Sequence, residues 1–142
     1  MTNTHANAKT LTIVYDNLSR IAEFCEEDVV LHPAGRNAPG TPAQVVGKQA
    51  VHDWEVNLIE LSGGTLKMDV QTISANDYFG AVLGLLRVRR GEDEICMPFC
   101  GLWRFRDGRI IEHWENAYDA AVLEQFLKTG EVEPENTWLC AR

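Results

Sequence analysis

Apolar residues recur at intervals of three and four at Leu11, Val14, Leu18, Ile21 and Cys25, which predicts one amphipathic helix over residues 10–25. Val29, Val30 and Leu31 then make a short strand that stops at His32-Pro33-Ala34-Gly35. Between Pro33 and Gly47 there are prolines at 33, 39 and 42 and glycines at 35, 40 and 47, the signature of a loop long enough to act as a lid. A second helical stripe, Val51, Trp54, Leu58 and Leu61, starts after Gly47 and ends at Ser62-Gly63-Gly64.

Beyond that point the pattern becomes strand-like. Residues 65–76, 78–90, 94–106 and 109–117 read as four strands, separated by Asn76-Asp77, Gly91-Glu92-Asp93 and the tight-turn pair Asp107-Gly108. A third helix is predicted from Asp119 to Lys128, with Asp119 capping its start and Gly130 its end. Helices followed by a run of strands make an α+β protein with an antiparallel sheet against three helices. The last strands are apolar on both faces: Val82, Leu83, Leu85, Leu86 and Val88 on one, Ile95, Met97, Phe99, Leu102, Trp103 and Phe105 on another. One face meets the helices, and the other is expected to meet a second copy of the chain as a homodimer.

Composition narrows the class of protein. With 45% apolar and 24% charged residues over 142 positions, the chain reads as a single globular domain spanning 1–142, with 1–9 and 131–142 as tails. A formal charge of −8 argues against nucleic acid or an anionic membrane as partner. No apolar run approaches the ~20 residues that span a bilayer, and the polar start carries no secretory pattern. The expected compartment is the cytoplasm, where Cys25, Cys96, Cys100 and Cys140 would be thiols. Cys96 and Cys100, four apart on a strand, would stand roughly 13 Å from each other, too far to share a metal or a bridge.

Two segments carry a family resemblance. The stretch from Phe99 to Asp119, with Arg106-Asp107-Gly108-Arg109 at its turn and Glu112-His113-Trp114-Glu115 beyond it, resembles the closing hairpin of the nuclear transport factor 2-like superfamily. Within it the nearest branch is the SnoaL-like polyketide cyclases. Glu26 to Gly35 resembles the first strand of the same superfamily, ketosteroid isomerase in particular. The resemblance covers residues 10–130 and implies a cone-shaped α+β barrel, a fold that hosts isomerases, cyclases, dehydratases, epoxide hydrolases and binding domains. It sets His32 where the isomerases hold a proton-abstracting aspartate, and Glu115 where the cyclases hold an acid–base aspartate. Gly101 falls where those families have a histidine or a protonated aspartic acid, a departure, since glycine offers no proton. Limonene-type epoxide hydrolases share the fold but rely on an Arg-x-Asp that is missing from Met97–Trp103.

Strand alternation tests these positions. If Glu115 faces a pocket, so do His113 and Ile111, while Trp114, Glu112 and Ile110 face away; the Gly101 strand adds Phe99, Trp103 and Phe105. Trp54 and Tyr78 are further expected walls, and Tyr15 is a core or wall residue whose hydroxyl could polarise a carbonyl. The alternatives for Glu115 are a solvated strand end or a pair with Arg87 or Arg104. No histidine–carboxylate set has metal spacing, so neither metal nor cofactor is expected.

Two functions are carried forward. One is a cofactor-independent lyase or isomerase moving a proton next to a ketone of an apolar substrate, in a cyclisation, isomerisation or dehydration, with Glu115 as acid–base group and His32 as second carrier. That enzyme would need a water, Tyr or His to stabilise the enolate oxygen. The other is a non-catalytic small-molecule-binding domain, in which Gly101 makes room for the ligand; epoxide hydrolysis stands third.

Overall fold

The structure, a computed structural model, describes residues 5–140. The chain forms α1 (Ala6–Asp16), a 3-10 segment (Leu18–Phe24), β1 (Cys25–His32), β2 (Val45–Val46), α2 (Lys48–Leu61), β3 (Lys67–Ala75), β4 (Phe79–Arg90), β5 (Asp93–Arg106), β6 (Arg109–Ala117) and α3 (Ala120–Thr129), with a short 3-10 turn at Pro134–Asn136. The α+β class and its curved, cone-forming sheet are as expected. The six strands lie in the order β2-β1-β6-β5-β4-β3.

One pairing differs from the expected antiparallel pattern: β1 runs parallel to β6. A parallel neighbour needs a long crossover, and the loop, α2 and the β3–β5 meander supply it. The meander itself is antiparallel throughout. At its last turn Asp107 and Gly108 take φ of 52° and 79°, as a tight hairpin demands.

The helices cover one face of the sheet. Leu11, Val14 and Ile21 from the first segments are buried with Val82, Val88, Met97, Trp103 and Phe105 from the strands, and Phe126 of α3 closes the same cluster. Asp119 and Gly130 cap α3 as the sequence predicts.

The first helix is shorter at its far end than its stripe suggests. Asn17 is extended (φ −151°, ψ 98°), and its Oδ1 accepts the N–H of Ser19 at 3.1 Å. A short polar side chain bonded to its own backbone breaks the helix there. The 3-10 segment beyond still turns Leu18 and Ile21 inward, so the apolar spacing survives the break.

Both expected tails are corrected as far as residues 5–140 reach. Residues 6–9 are the first turn of α1, and His5 caps it: its Nδ1 accepts the N–H of Asn7 at 3.0 Å, while its Nε2 lies 2.8 Å from Asp77. Residues 1–4 and 141–142 lie outside the described residues. After α3 the chain returns to β5 beyond the point where β6 ends. Cys96 donates its N–H to Thr137 O at 3.0 Å, and Leu139 N–H donates to Cys96 O at 2.7 Å. Cys96 and Cys140 form a disulfide, so the expectation of four thiols fails; Cys25 and Cys100 stay free.

A bulge corrects one parity. Phe105 pairs with Ile110 and Arg104 with Glu112, leaving Ile111 as an extra residue. Ile110 is therefore the buried core residue and Ile111 only half-buried, the reverse of the simple alternation. From Glu112 onward the expected faces hold.

Candidate active site

A cavity of about 300 Å³ lies between the helices and the inner face of β5 and β6. Its walls are mainly apolar, with Leu58, Met68, Leu86, Phe99 and Leu123 among them. The predicted lid borders it through Ala34, Gly35, Gly40, Thr41 and Pro42. Thr41 Oγ1 donates to Glu124 Oε1 of α3 at 2.5 Å, and Lys128 Nζ donates to the same oxygen at 2.8 Å, so loop and helix are joined across the mouth.

Glu115 lines this cavity, opposite Gly101 in the β5–β6 register. Neither Arg87 nor Arg104 pairs with it; those arginines engage Asp69 and Glu112. Its partner is a residue that the sequence reading passed over. Glu55 of α2, 1% exposed, hydrogen-bonds Glu115 carboxyl to carboxyl. Glu115 also accepts Trp54 Nε1–H at 3.1 Å and the main-chain N–H of Ala34. Arg36 sits close enough to lower the energy of its charge, while donating through Nη1 to the Glu115 carbonyl at 2.8 Å.

The two carboxyls are unequal. Burial pushes both above the usual carboxylate range, and at Glu55 the charge on Glu115 pushes further. Glu115 has donors and a nearby guanidinium to offset burial. Among the described residues Glu55 has none, and its Oε1 is buried without a hydrogen-bond partner. A pair holding one proton therefore keeps the charge on Glu115 and the proton on Glu55.

Tyr15 of α1 supplies the third polar group. Its hydroxyl accepts Trp103 Nε1–H at 3.1 Å, which leaves its own hydrogen free to donate. Burial raises the phenol well above its ordinary value, so it stays protonated. Its ring stacks on Phe99, with centroids 5.6 Å apart.

His113 is buried beneath the cavity, stacked on Trp103 at 3.4 Å between centroids. Burial lowers its pKa from 6.5 to about 3, so the ring is neutral. Nδ1, 3.0 Å from Leu102 O, then carries the hydrogen, and Nε2 is left as an acceptor.

Of the expected site residues, the structure brings Glu115, Trp103, Phe99, Trp54, His113 and Gly101 to one cavity. Two are corrected. His32 pairs in register with Trp114, and alternation from buried Leu31 turns it to the outer face of the sheet. There it stacks on Trp114 and bonds Glu112 Oε2 at 2.7 Å, away from the cavity. Tyr78 is 68% exposed at the β3–β4 turn and is not among the walls of this cavity. Glu55 carried a signal of its own, four residues after Val51 on the buried stripe, where its charge argued for the polar face. Among the described residues, no group of three or more His, Cys, Asp or Glu is arranged to hold a metal ion.

Residues 12–113 match the SnoaL-like domain family, which is well over half of the chain. No curated protein matches the sequence. Several solved structures share the fold. Bal32a, from a soil-derived mobile gene cassette, is 21% identical with a TM-score of 0.73 over 86% of this chain and 96% of its own. TerC, co-crystallised with polyporic acid, is 18% identical with a TM-score of 0.70 over 88% of this chain and 100% of its own. IdmH, a candidate polyketide cyclase from Streptomyces antibioticus, is 20% identical with a TM-score of 0.66 over 86% of this chain and 99% of its own.

Proposed function

The chain belongs to the SnoaL-like domain family, and we propose that it is a cofactor-independent enzyme moving a proton beside the carbonyl of an apolar small molecule. The observation that carries the reading is the hydrogen-bonded pair of Glu55 and Glu115 facing an apolar cavity beside the Tyr15 hydroxyl. Glu115 is the base. Held ionised by Trp54, Ala34 and Arg36 yet raised by burial, it is matched to a weakly acidic C–H. Tyr15 donates to the enolate oxygen, a role that the sequence left to a water, Tyr or His. Neutral His113 and Trp103 form a rigid wall that orients the substrate. His32, on the far face, has no part in the proton path.

The apolar walls support a hydrocarbon or aromatic substrate body, and TerC, a neighbour of the same fold, was co-crystallised with polyporic acid. Hydrogen–deuterium exchange of benzylacetone in D2O tests the reading. Wild-type protein should speed exchange next to the carbonyl. Glu115→Gln should abolish it while keeping affinity within about tenfold, or ~1.4 kcal/mol. Binding without exchange in the wild type would leave a ligand-binding domain instead.

A homodimer through the outer sheet face and a single domain are part of the proposal. Cytoplasmic residence would keep Cys96 and Cys140 as thiols, whereas their disulfide is the form that oxidising compartments favour. Thiol labelling of protein taken directly from cells decides between the two.

A further inference from the structure

We propose that Glu55 and Glu115 work as an acid–base pair for dehydration, removing water from a neutral, apolar β-hydroxy ketone to leave the conjugated enone. The proposal rests on the proton-transfer reading above and narrows it to one reaction and one substrate class. Exchange or isomerisation needs a single carboxylate that takes a proton and gives it back. This cavity has two carboxyls side by side, sorted by their surroundings into a base and an acid. A base and an acid on one wall suit a hydrogen and a hydroxyl leaving adjacent carbons from the same side.

The charges at this end of the cavity set the substrate class. The pair carries one negative charge, and the nearest guanidinium, Arg36, is engaged by Pro33 O, Glu115 O and Asn116 Oδ1. Among the described residues no unengaged cation lies beside that charge to receive an anionic substrate, Lys128 on the cavity wall being held by Glu124, so the carbonyl compound is neutral. Tyr15, whose hydroxyl lies against Gly101 and so near Glu115, takes the carbonyl oxygen.

The step closes on its own atoms. Glu115 takes the hydrogen from the carbon next to the carbonyl, and the C–H electron pair moves into an enolate whose oxygen Tyr15 holds. The enolate pair then returns to form the carbon–carbon double bond as the bond from the β-carbon to oxygen breaks. The departing hydroxide takes the Glu55 proton and leaves as water. Glu115 is now protonated and Glu55 ionised, and the proton crosses their hydrogen bond to restore the starting pair. Glu55 is 1% exposed and cut off from bulk water, so this bond is its proton supply. Nothing is oxidised or reduced.

The probe is the aldol adduct of benzaldehyde and acetone, followed by the absorbance of benzalacetone, alongside benzylacetone exchange, which needs no leaving group. Wild-type protein should carry out both. Glu55→Gln should cost elimination ~100-fold more than it costs exchange, the scale of a positioned general acid. Exchange without elimination in the wild type, or release of benzaldehyde instead of water, overturns the dehydration and leaves the base assignment standing. Absence of both activities removes the proton-transfer reading and this one with it. Equal loss of both in Glu55→Gln makes Glu55 a holder of Glu115 and overturns its role as acid. Should that variant fail to fold, the wild-type pH profiles decide: elimination should fall at high pH, where Glu55 ionises, while exchange persists. Parallel profiles overturn the proposal.

Discussion

The Tyr15 hydroxyl fills the space that any side chain at Gly101 would need: a Cβ built on Gly101 collides with Tyr15 Oη and meets Trp103 Nε1 at 3.0 Å. The glycine is therefore not an empty family position. A phenol from the first helix occupies it, hydrogen-bonded to the indole two residues along the strand. Substitution at one residue and function at the other are bound together.

Gly101→Ala should push Tyr15 off its Phe99 stack and cost ~1–3 kcal/mol, the usual cost of overpacking. Tyr15→Phe should fold normally and lower kcat by ~100-fold, as loss of one oxyanion donor does. Because the collision is with the hydroxyl, Tyr15→Phe should recover part of the stability that Gly101→Ala loses. Chemical denaturation of both single variants and the double measures this coupling, and strict additivity would contradict it.

Glu55 should cost stability at neutral pH. Its folded pKa is raised above the ordinary 4.5, so the contribution is intact below that value and lost as pH rises toward the folded pKa. Glu55→Gln should therefore stabilise the protein at pH 8, where the unfolded chain has released a proton that burial makes costly to release in the fold. At pH 4 the gain should vanish. A gain that is the same at both pH values would place its origin in packing, not in ionisation.

These residues mark the limits of what the sequence made legible. Alternation from Glu112 to Glu115 and along Phe99–Phe105 placed Glu115, His113 and Trp103 correctly, because paired strands keep a strict period of two. The same rule failed at Ile110 and Ile111, where a bulge adds a residue that no local pattern announced. His32 was set by likeness to a family position, but its own alternation from Leu31 turned it outward. Glu55 looked like a polar-face residue because its partner lies 60 positions later, on a strand whose place beside α2 only the fold supplies. Cys140 was beyond reach for the same reason: the return of the chain to Cys96 depends on where β6 stops.

The outer sheet face should pair with a second copy. Phe79, Leu83 and Leu102 are 55%, 49% and 41% exposed on strands that are apolar on both sides, and Leu102 shares a groove with Trp114 and Ala81. Leu102→Glu would put a charge in the middle of that face without touching the cavity. Sedimentation should show twice the chain mass for the wild type and a monomer for the variant, with benzylacetone exchange as the check on the pocket. A monomeric wild type at micromolar concentration removes the dimer.

His113 and the acid pair should pull stability in opposite directions over the same pH range. His113 falls from 6.5 to about 3 through burial, so between those values the unfolded chain binds the extra proton and the folded one does not. Its contribution is whole above pH 6.5 and is withdrawn as pH drops, with a slope of up to ~1.4 kcal/mol per unit. The raised acid of the pair has the reverse sign: above pH 4.5 the unfolded chain releases a proton that the folded chain keeps, so stability falls as pH rises. Above pH 4.5 the two slopes oppose, so the wild type should change less with pH than either single variant. Glu55→Gln should unmask the histidine, giving stability that climbs with pH; His113→Gln should unmask the acid, giving stability that declines. Denaturation of the three proteins at half-unit steps reads these slopes directly. NMR of the His113 ring should find it neutral down to about pH 4. A ring that titrates near 6.5 would mean water reaches it, and a wet His113 is incompatible with a dry Glu55 in the same cavity.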